Sequence, residues 1–406
     1  MRFDLHLRKG IKERLSSLAQ QMREHEAAPR VDEFESKRVI NAIQPFEHTT
    51  AAKDLVVAGA DGTGDYPAIA YADSFVYVTL AQATCYEANR LSGLKELDVA
   101  PEPVVDFTWI PEDEARRYEA FDAAFLSLSG ASPKEVIEAS DYRRIKNLES
   151  HRTNSVPTLF DRLIRPHASD AGNISVQLRS TGELGAALRV IRGEVRPNLI
   201  LIDGTLSLPF VSRPDDSLFY EHLKRLCCVE ARNKGIGFMA LSKSHGLPSV
   251  EVIEDLARMK LGIADRQTAE HWFFRVPSKK VDGWDFSLTS GRKLPPPGAV
   301  TYLLRLHRST PLLRLDMDVE FWLGYVQGDS KQKTLDNERR IFGCLDYVSH
   351  DQRCFGYPYP IKAAHDRASL TQAERESLRK QIVDAAVREG MKRALFRSAS
   401  QATGHE

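Results

Sequence analysis

The chain has 406 residues, 42% of them hydrophobic and 28% charged, enough to bury a sizeable core in one large or two ordinary domains. Lys plus Arg number 56, as do Asp plus Glu, so no global field draws nucleic acid or membranes, and an anionic partner must be met by a local basic groove. Five cysteines (Cys85, Cys227, Cys228, Cys344, Cys354) form no CxxC pair, so neither a zinc knuckle nor a disulfide framework is implied, which fits a reducing cytosol. The segment from Met1 to His6 lacks the apolar core of a signal peptide, and no stretch is long and apolar enough to span a bilayer, so a cytoplasmic protein is expected.

Residues 8–26 place Ile11, Leu15, Leu18 and Met22 on one stripe of an amphipathic helix, whose expected role is to cover the core. From Leu55 the pattern turns to β. The apolar run from Leu55 to Ala60 ends at Asp61-Gly62-Thr63-Gly64-Asp65, read as a turn. Pro67 to Tyr71 and Ser74 to Leu80 then complete an antiparallel meander. Residues 111–152 are charged and helical in texture, broken between Gly130 and Pro133, as expected of a helical insertion. Residues 176–192 form a helix that Arg196-Pro197 stops. The apolar strand from Asn198 to Ile202 follows, ending at Asp203-Gly204-Thr205.

A third apolar run, Gly235 to Leu241, ends at Ser242-Lys243-Ser244-His245. Residues 252–262 read as helix, 279–297 as a basic, Pro-rich loop, and Ala299 to Leu306 as a strand. Tyr357-Pro358-Tyr359-Pro360 is extended by its prolines, with a helix from about Ala363. Thr371-Gln372-Ala373-Glu374 is a capping box opening a long C-terminal helix. A meander followed by βα units predicts an α/β fold: a ribonuclease-H-like mixed sheet flanked by helices, with an N-terminal helix and a helical insertion.

In such a sheet, carboxylates at strand ends are held by rigid backbone yet face a cleft, as a divalent cation requires. Asp61 and Asp203 each end a strongly apolar strand, and Glu183 lies on the helix feeding the second one. Each has an ordinary alternative. Asp-Gly is a common turn signal, and Ser180-Thr181-Gly182-Glu183 also fits a capping box, in which Glu183 bonds back to an amide. Asp65 and Asp73 read as solvated. His365 sits at a helix start, either structural or a ligand. Lys243 is either an exposed lysine or a cation that touches a phosphate. Tyr302 and His307 are weaker candidates, since strand aromatics are normally core. Lys279, Lys280, Arg292 and Lys293 are either a solvated loop or a track for a nucleic-acid backbone.

Four strings carry a resemblance: Val57-Ala58-Gly59-Ala60-Asp61-Gly62-Thr63, Leu199-Ile200-Leu201-Ile202-Asp203-Gly204-Thr205-Leu206, Ala240-Leu241-Ser242-Lys243-Ser244, and Gly356-Tyr357-Pro358-Tyr359-Pro360-Ile361 leading to His365. In this order, over about residues 50–370, the chain resembles the NurA-type nucleases, prokaryotic DNA-end-processing enzymes that work with the HerA hexameric ATPase. The resemblance implies a nuclease domain over 51–370 with an insertion at about 110–170, between an N-terminal extension (1–50) and a C-terminal helix and tail (371–406). It implies a homodimer in DNA end resection and repair, with single-strand endonuclease and 5′-to-3′ exonuclease activity. The cofactor would be manganese, or magnesium, in a two-metal mechanism.

The family's metal ligands would fall on Asp61, Glu183, Asp203 and His365, with Lys243 offsetting charge on the phosphate and a functional tyrosine at Tyr302. Two other classes compete. Actin- and hexokinase-like ATPases clasp phosphates with two Asp-Gly-Thr loops, although they should add a Gly-rich adenosine loop where Gly356 and Gly390 stand isolated. A non-catalytic adaptor that docks an ATPase is the other.

Overall fold

A computed structural model describes residues 5–25, 33–64, 67–72, 74–89, 93–98, 102–149, 171–208, 218–243, 250–263, 271–284 and 294–398. The chain opens with helices α1 (Leu5–His25) and α2 (Glu33–Ala42) and the short strand β1 (Ile43–Pro45). The meander follows as β2 (Val56–Thr63), β3 (Ile69–Tyr71), β4 (Ser74–Asn89), β5 (Gly93–Glu96) and β6 (Val104–Ile110). Three helices make the insertion: α3 (Glu114–Ser129), α4 (Pro133–Ala139) and α5 (Tyr142–Glu149). Then come α6 (Ala171–Arg192), β7 (Leu199–Asp203), α7 (Phe219–Asn233), β8 (Gly237–Ser242), α8 (Val250–Leu261), β9 (Trp272–Arg275) and α9 (Lys279–Asp282). The last third holds β10 (Ala299–Arg305), β11 (Leu313–Asp318), α10 (Val319–Phe321), α11 (Lys331–Val348) and the hairpin β12 (His350–Asp351) and β13 (Cys354–Phe355). It closes with α12 (Tyr359–Ala368), α13 (Gln372–Arg388) and β14 (Phe396–Arg397).

Twelve strands form one mixed sheet in the order β1-β9-β10-β11-β8-β7-β2-β4-β3-β14, with β5 and β6 also on β4. β2 pairs antiparallel with β4 on one side and parallel with β7 on the other, and β7 pairs parallel with β8. An antiparallel meander joined to parallel βα units around a central first strand is the ribonuclease-H-like arrangement expected from the sequence. Strand residues alternate between two cores, as the two-residue period demands. Ala58, Ala60, Ile200 and Ile202 face a core shared with α3, α6 and α7. Val57, Leu199, Leu201 and Leu241 face one shared with α11 and α12. A third core, around Trp272 and Phe274, lies at the β1–β9 edge under α2 and α8.

Several local expectations change. The Asp61-Gly62-Thr63 segment is not a turn but the end of β2, paired with Gln82, Ala81 and Leu80. α12 begins at Tyr359 rather than near Ala363, with Pro360 in its first turn, where a missing amide costs nothing. The stripe of α1 does not cover the core: Ile11, Leu15, Leu18 and Met22 are all exposed. The C-terminal capping box is present, with Glu374 N donating to Thr371 Oγ1 and Thr371 N donating to Glu374 Oε2.

Gly59 sets how closely α12 approaches the sheet. A Cβ there would lie 2.3 Å from the Pro360 carbonyl carbon, so only glycine admits the helix backbone. Thr84 Oγ1 donates to the Pro360 carbonyl (2.8 Å) and fixes the same approach. On the opposite face, the insertion is tied down by ions. Arg225 of α7, fully buried, donates to Asp141 (2.7 and 3.0 Å) and to Asp318 (2.7 Å), and Arg232 donates to both carboxylates (3.0 and 3.1 Å).

His222 of α7 is buried beside Ser140 (Nδ1 to Oγ 3.2 Å) and the Tyr142 ring. Burial, and then the charge of Arg143, push its pKa down from 6.5 to about 3. A depressed folded pKa gives stability that is whole above the ordinary histidine value and lost as pH falls toward the folded one. Denaturant titrations of the protein are therefore expected to show His222 costing about 1.4 kcal/mol per pH unit between about pH 6 and 4. His222→Gln should remove that slope; an unchanged slope would rule His222 out as its source.

Candidate active site

β2 and β7 run parallel in register, with Ala60 opposite Ile202, so Asp61 and Asp203 follow side by side, one residue further along. Neighbouring strands lie about 4.8 Å apart, and residues of equal parity share a face. Both carboxylates thus leave the sheet on the side of α12. Asp61 is buried, while Asp203 opens to solvent. Asp61 Oδ1 accepts from the Gly62 amide (2.7 Å), and Oδ2 lies 2.7 Å from Nδ1 of His365 on α12. The His365 side chain is 57% exposed, with Nε2 3.3 Å from Ser369 Oγ.

Glu183 comes from the other face. α6 starts at Ala171, so Glu183 stands deep inside the helix and caps nothing; Thr181 Oγ1 donates instead to the Gln177 carbonyl. The capping-box reading fails because the helix continues N-terminally past the local Ser-Thr-Gly-Glu pattern, its buried face packed into the first core. Glu183 reaches the end of β2 over Gly62, where a Cβ would lie 2.8 Å from Glu183 Cγ. Glycine at position 62 is what lets a carboxylate from α6 join two from the sheet.

The electrostatics record the crowding. Burial, followed by the Asp61 charge, pushes Glu183 well above the ordinary carboxylate range, against Arg179 3.7 Å away. Asp203 is also raised, by burial and then by Asp61, against the pull of Lys243, Tyr357 and His365. Asp203 stands at the cleft mouth, where it touches water while the surrounding protein removes much of its hydration.

Lys243, just past the end of β8, is exposed, and its Nζ lies 3.6 Å from the centre of the Tyr357 ring, a cation–π contact. Tyr357 is buried, and its hydroxyl lies against Asp203 without a hydrogen bond of good geometry. Burial, then the charges of Asp203 and Asp61, hold that phenol well above its usual range. Tyr357 stood inside a motif but had no assigned role. Its signal was the Gly-Tyr-Pro string before a helix, which fixes a ring at the helix entrance.

The turn after Asp203 is anchored from behind. Gly204 N donates to the Leu241 carbonyl (3.0 Å), Leu206 N to Asp316 (2.9 Å), and Arg314 to both Asp316 and Ser207. Tyr302 does not join the site. It is buried between Glu338, to which it donates (2.8 Å), and Trp322, from which it accepts (2.6 Å), on a strand two removed from β8. His307 follows β10, with Nδ1 2.6 Å from Ser309 Oγ. Asp65, Asp73, His245, Arg292 and Lys293 lie outside the described residues, as do the side chains of Lys279 and Lys280. No helix of the described residues is long and apolar enough to cross a membrane.

No protein-family model matches the chain, and no curated protein does. Among solved structures it is similar to the NurA nuclease from Sulfolobus solfataricus, at 14% identity and a TM-score of 0.46, over 94% of this chain and 96% of that one. It is also similar to a NurA bound to dAMP and manganese (12% identity, TM-score 0.34, 95% and 98% covered). A Ciona intestinalis endonuclease V in complex with a 24mer DNA containing an inosine is a third (10% identity, TM-score 0.32, 89% and 99% covered).

Proposed function

We propose that the chain is a metal-dependent nuclease that hydrolyses phosphodiester bonds of DNA at the cleft of Asp61, Glu183 and Asp203. One observation carries the reading: three carboxylates from two strands and a helix are crowded at one strand end, with two of them forced above their ordinary range. Arg179 and Lys243 leave that charge under-compensated, and a set of oxygen donors suits a hard divalent cation. Asp61, Glu183 and Asp203 would hold such ions. When bound, manganese or magnesium would lower the pKa of an attacking water and stabilise the leaving oxygen.

The protein's own groups do the rest. His365 orients Asp61 through Nδ1, which makes the carboxylate of β2 a fixed rather than a rotating donor. Lys243, held on the Tyr357 face, offers a cation at the mouth where a phosphate enters. Tyr357 excludes water behind Asp203. Single-strand endonuclease and 5′-to-3′ exonuclease action, a role in DNA end resection and repair, a homodimer and docking on a HerA-type hexameric ATPase belong to the same proposal, supported by the motif resemblance. The exposed apolar residues of α1 and Val105, Phe107 and Trp109 of β6 offer surface for such contacts.

The ATPase alternative fits less well. Its two phosphate loops face each other across a nucleotide, whereas here both Asp-Gly-Thr segments leave neighbouring strands of one sheet. The adaptor alternative gives no reason to hold three crowded acids.

The test is cleavage of labelled single-stranded DNA with manganese or with EDTA. Cleavage is expected only with the ion, and cleavage that survives EDTA would overturn the reading. ATP hydrolysis by the protein alone would favour the rival. Without metal, the raised Glu183 makes a stability contribution that is full at acidic pH and lost as pH rises through its elevated pKa. Glu183→Gln is therefore expected to stabilise the protein in EDTA at pH 7 by about 1 kcal/mol while abolishing cleavage. A destabilised but active variant would remove Glu183 from the site.

A further inference from the structure

A second cluster lies at the far edge of the sheet. His48 follows β1, His271 precedes β9, Asp346 is in the last turn of α11 and His350 opens β12. One ligand-capable atom from each lies within 4.8 Å of all the others. The geometry points to a separate site for a borderline divalent transition metal of the zinc type, held by these four side chains.

Asp346 is the centre. Its side chain is 0% exposed, and Oδ2 accepts from Thr49 N (2.6 Å) and meets His48 Nδ1 (2.8 Å). Oδ1 lies 3.3 Å from His271 Nε2 and 3.0 Å from His350 Nδ1, near enough for both rings to act on the carboxylate, although neither contact has the angles of a well-formed hydrogen bond. Both Asp346 Oδ1 and His271 Nε2 are buried without a hydrogen-bond partner. A buried carboxylate oxygen and an imidazole nitrogen left unsatisfied beside each other are costly unless something occupies the space between them.

The donor set selects the ion. Three imidazoles and one carboxylate are the nitrogen-rich, four-ligand set that suits tetrahedral zinc, unlike the carboxylates of the cleft. His350 Nδ1 lies 2.9 Å from the Asp346 carbonyl, and a backbone carbonyl on one ring nitrogen is the arrangement that orients the other toward a metal. The three rings pack at centroid distances of 4.3, 5.3 and 5.4 Å, and His48, 41% exposed, leaves an entry from solvent. His271 also carries a positive φ of 53°, backbone strain of the kind that clusters at binding sites.

Four strand spacings separate β9 from β7, so this site stands roughly 20 Å from the carboxylate cleft. It is nevertheless linked to it by chain. Asp346 and His350 flank Ser349, whose carbonyl accepts from Gly356 N (2.6 Å), and Tyr357 follows at once. An ion there would staple β1 and β9 to α11 and fix the base of the hairpin from which Tyr357 and α12 depart.

The experiment titrates Co2+ into metal-stripped protein carrying Asp61→Asn and Asp203→Asn, so that the cleft makes little contribution. About one equivalent is expected to bind with the visible absorption of tetrahedral Co2+, and Zn2+ should displace it. Adding His48→Ala, at the most exposed of the four positions, should weaken uptake about 100-fold. In the same cleft variant, chelation should lower the melting temperature, and adding His48→Ala should erase that shift. The site is overturned by absence of Co2+ uptake in the cleft variant, or by uptake unaffected by both His48→Ala and Asp346→Asn.

Discussion

Asp61→Asn is expected to lower manganese-dependent cleavage of single-stranded DNA about a thousandfold, the equivalent of ~4 kcal/mol of lost charge stabilisation at the reacting phosphate. Asp203→Asn should do nearly the same, because the two carboxylates leave adjacent strands in register and serve one cleft. The amide keeps the shape of each side chain. It also removes a charge from a crowded acidic cluster, so neither variant should unfold; melting in EDTA is expected to be unchanged or slightly raised. That combination separates a catalytic from a structural role. A variant that retains more than a tenth of wild-type cleavage would remove its carboxylate from the chemistry. His365→Gln should fall between these and wild type, since His365 acts on Asp61 through Nδ1.

The second large effect concerns the fold. Arg225→Met is expected to cost about 3–5 kcal/mol, because it leaves Asp318 and Asp141 largely buried with Arg232 to share between them and only the half-exposed Arg144 (3.2 Å) added on Asp141. The charges tie the insertion to α7 and to the end of β11, so loosening them should free α4 and α5 first. Denaturant unfolding measures the loss, and hydrogen exchange locates it. A cost below about 1 kcal/mol would mean that Arg232 compensates fully, which its longer contacts argue against. Asp141 is held below the ordinary carboxylate range despite its burial, chiefly by Arg225, as a committed ion pair requires.

Much of this architecture was legible in the chain. The runs into Asp61 and Asp203 are so apolar that they can only be buried strands, and Thr371 with Glu374 marked a helix start that the structure keeps. Glu183 was harder, since its local pattern satisfies a cap as well as it satisfies a site. Only the extension of α6 back to Ala171 and the proximity of Gly62 decide between them. β11 was not located because its apolar residues alternate with Arg314, Asp316 and Asp318, which periodicity reads as solvent-facing. They are buried by pairing with Arg225, Thr301 and one another. The His48 cluster had no sequence signal, because its members are scattered over three segments that only the sheet edge brings together.

The Asp61–His365 contact bridges 304 positions of chain. During synthesis Asp61 emerges early, while its partner and Tyr357 are made only after the sheet's main strands have been translated. An interrupted translation product that stops short of α12 would carry all three acids yet lack the group that fixes the first of them. The order of residues along the chain thus means that the proposed cleft would be complete only when nearly all of the chain exists.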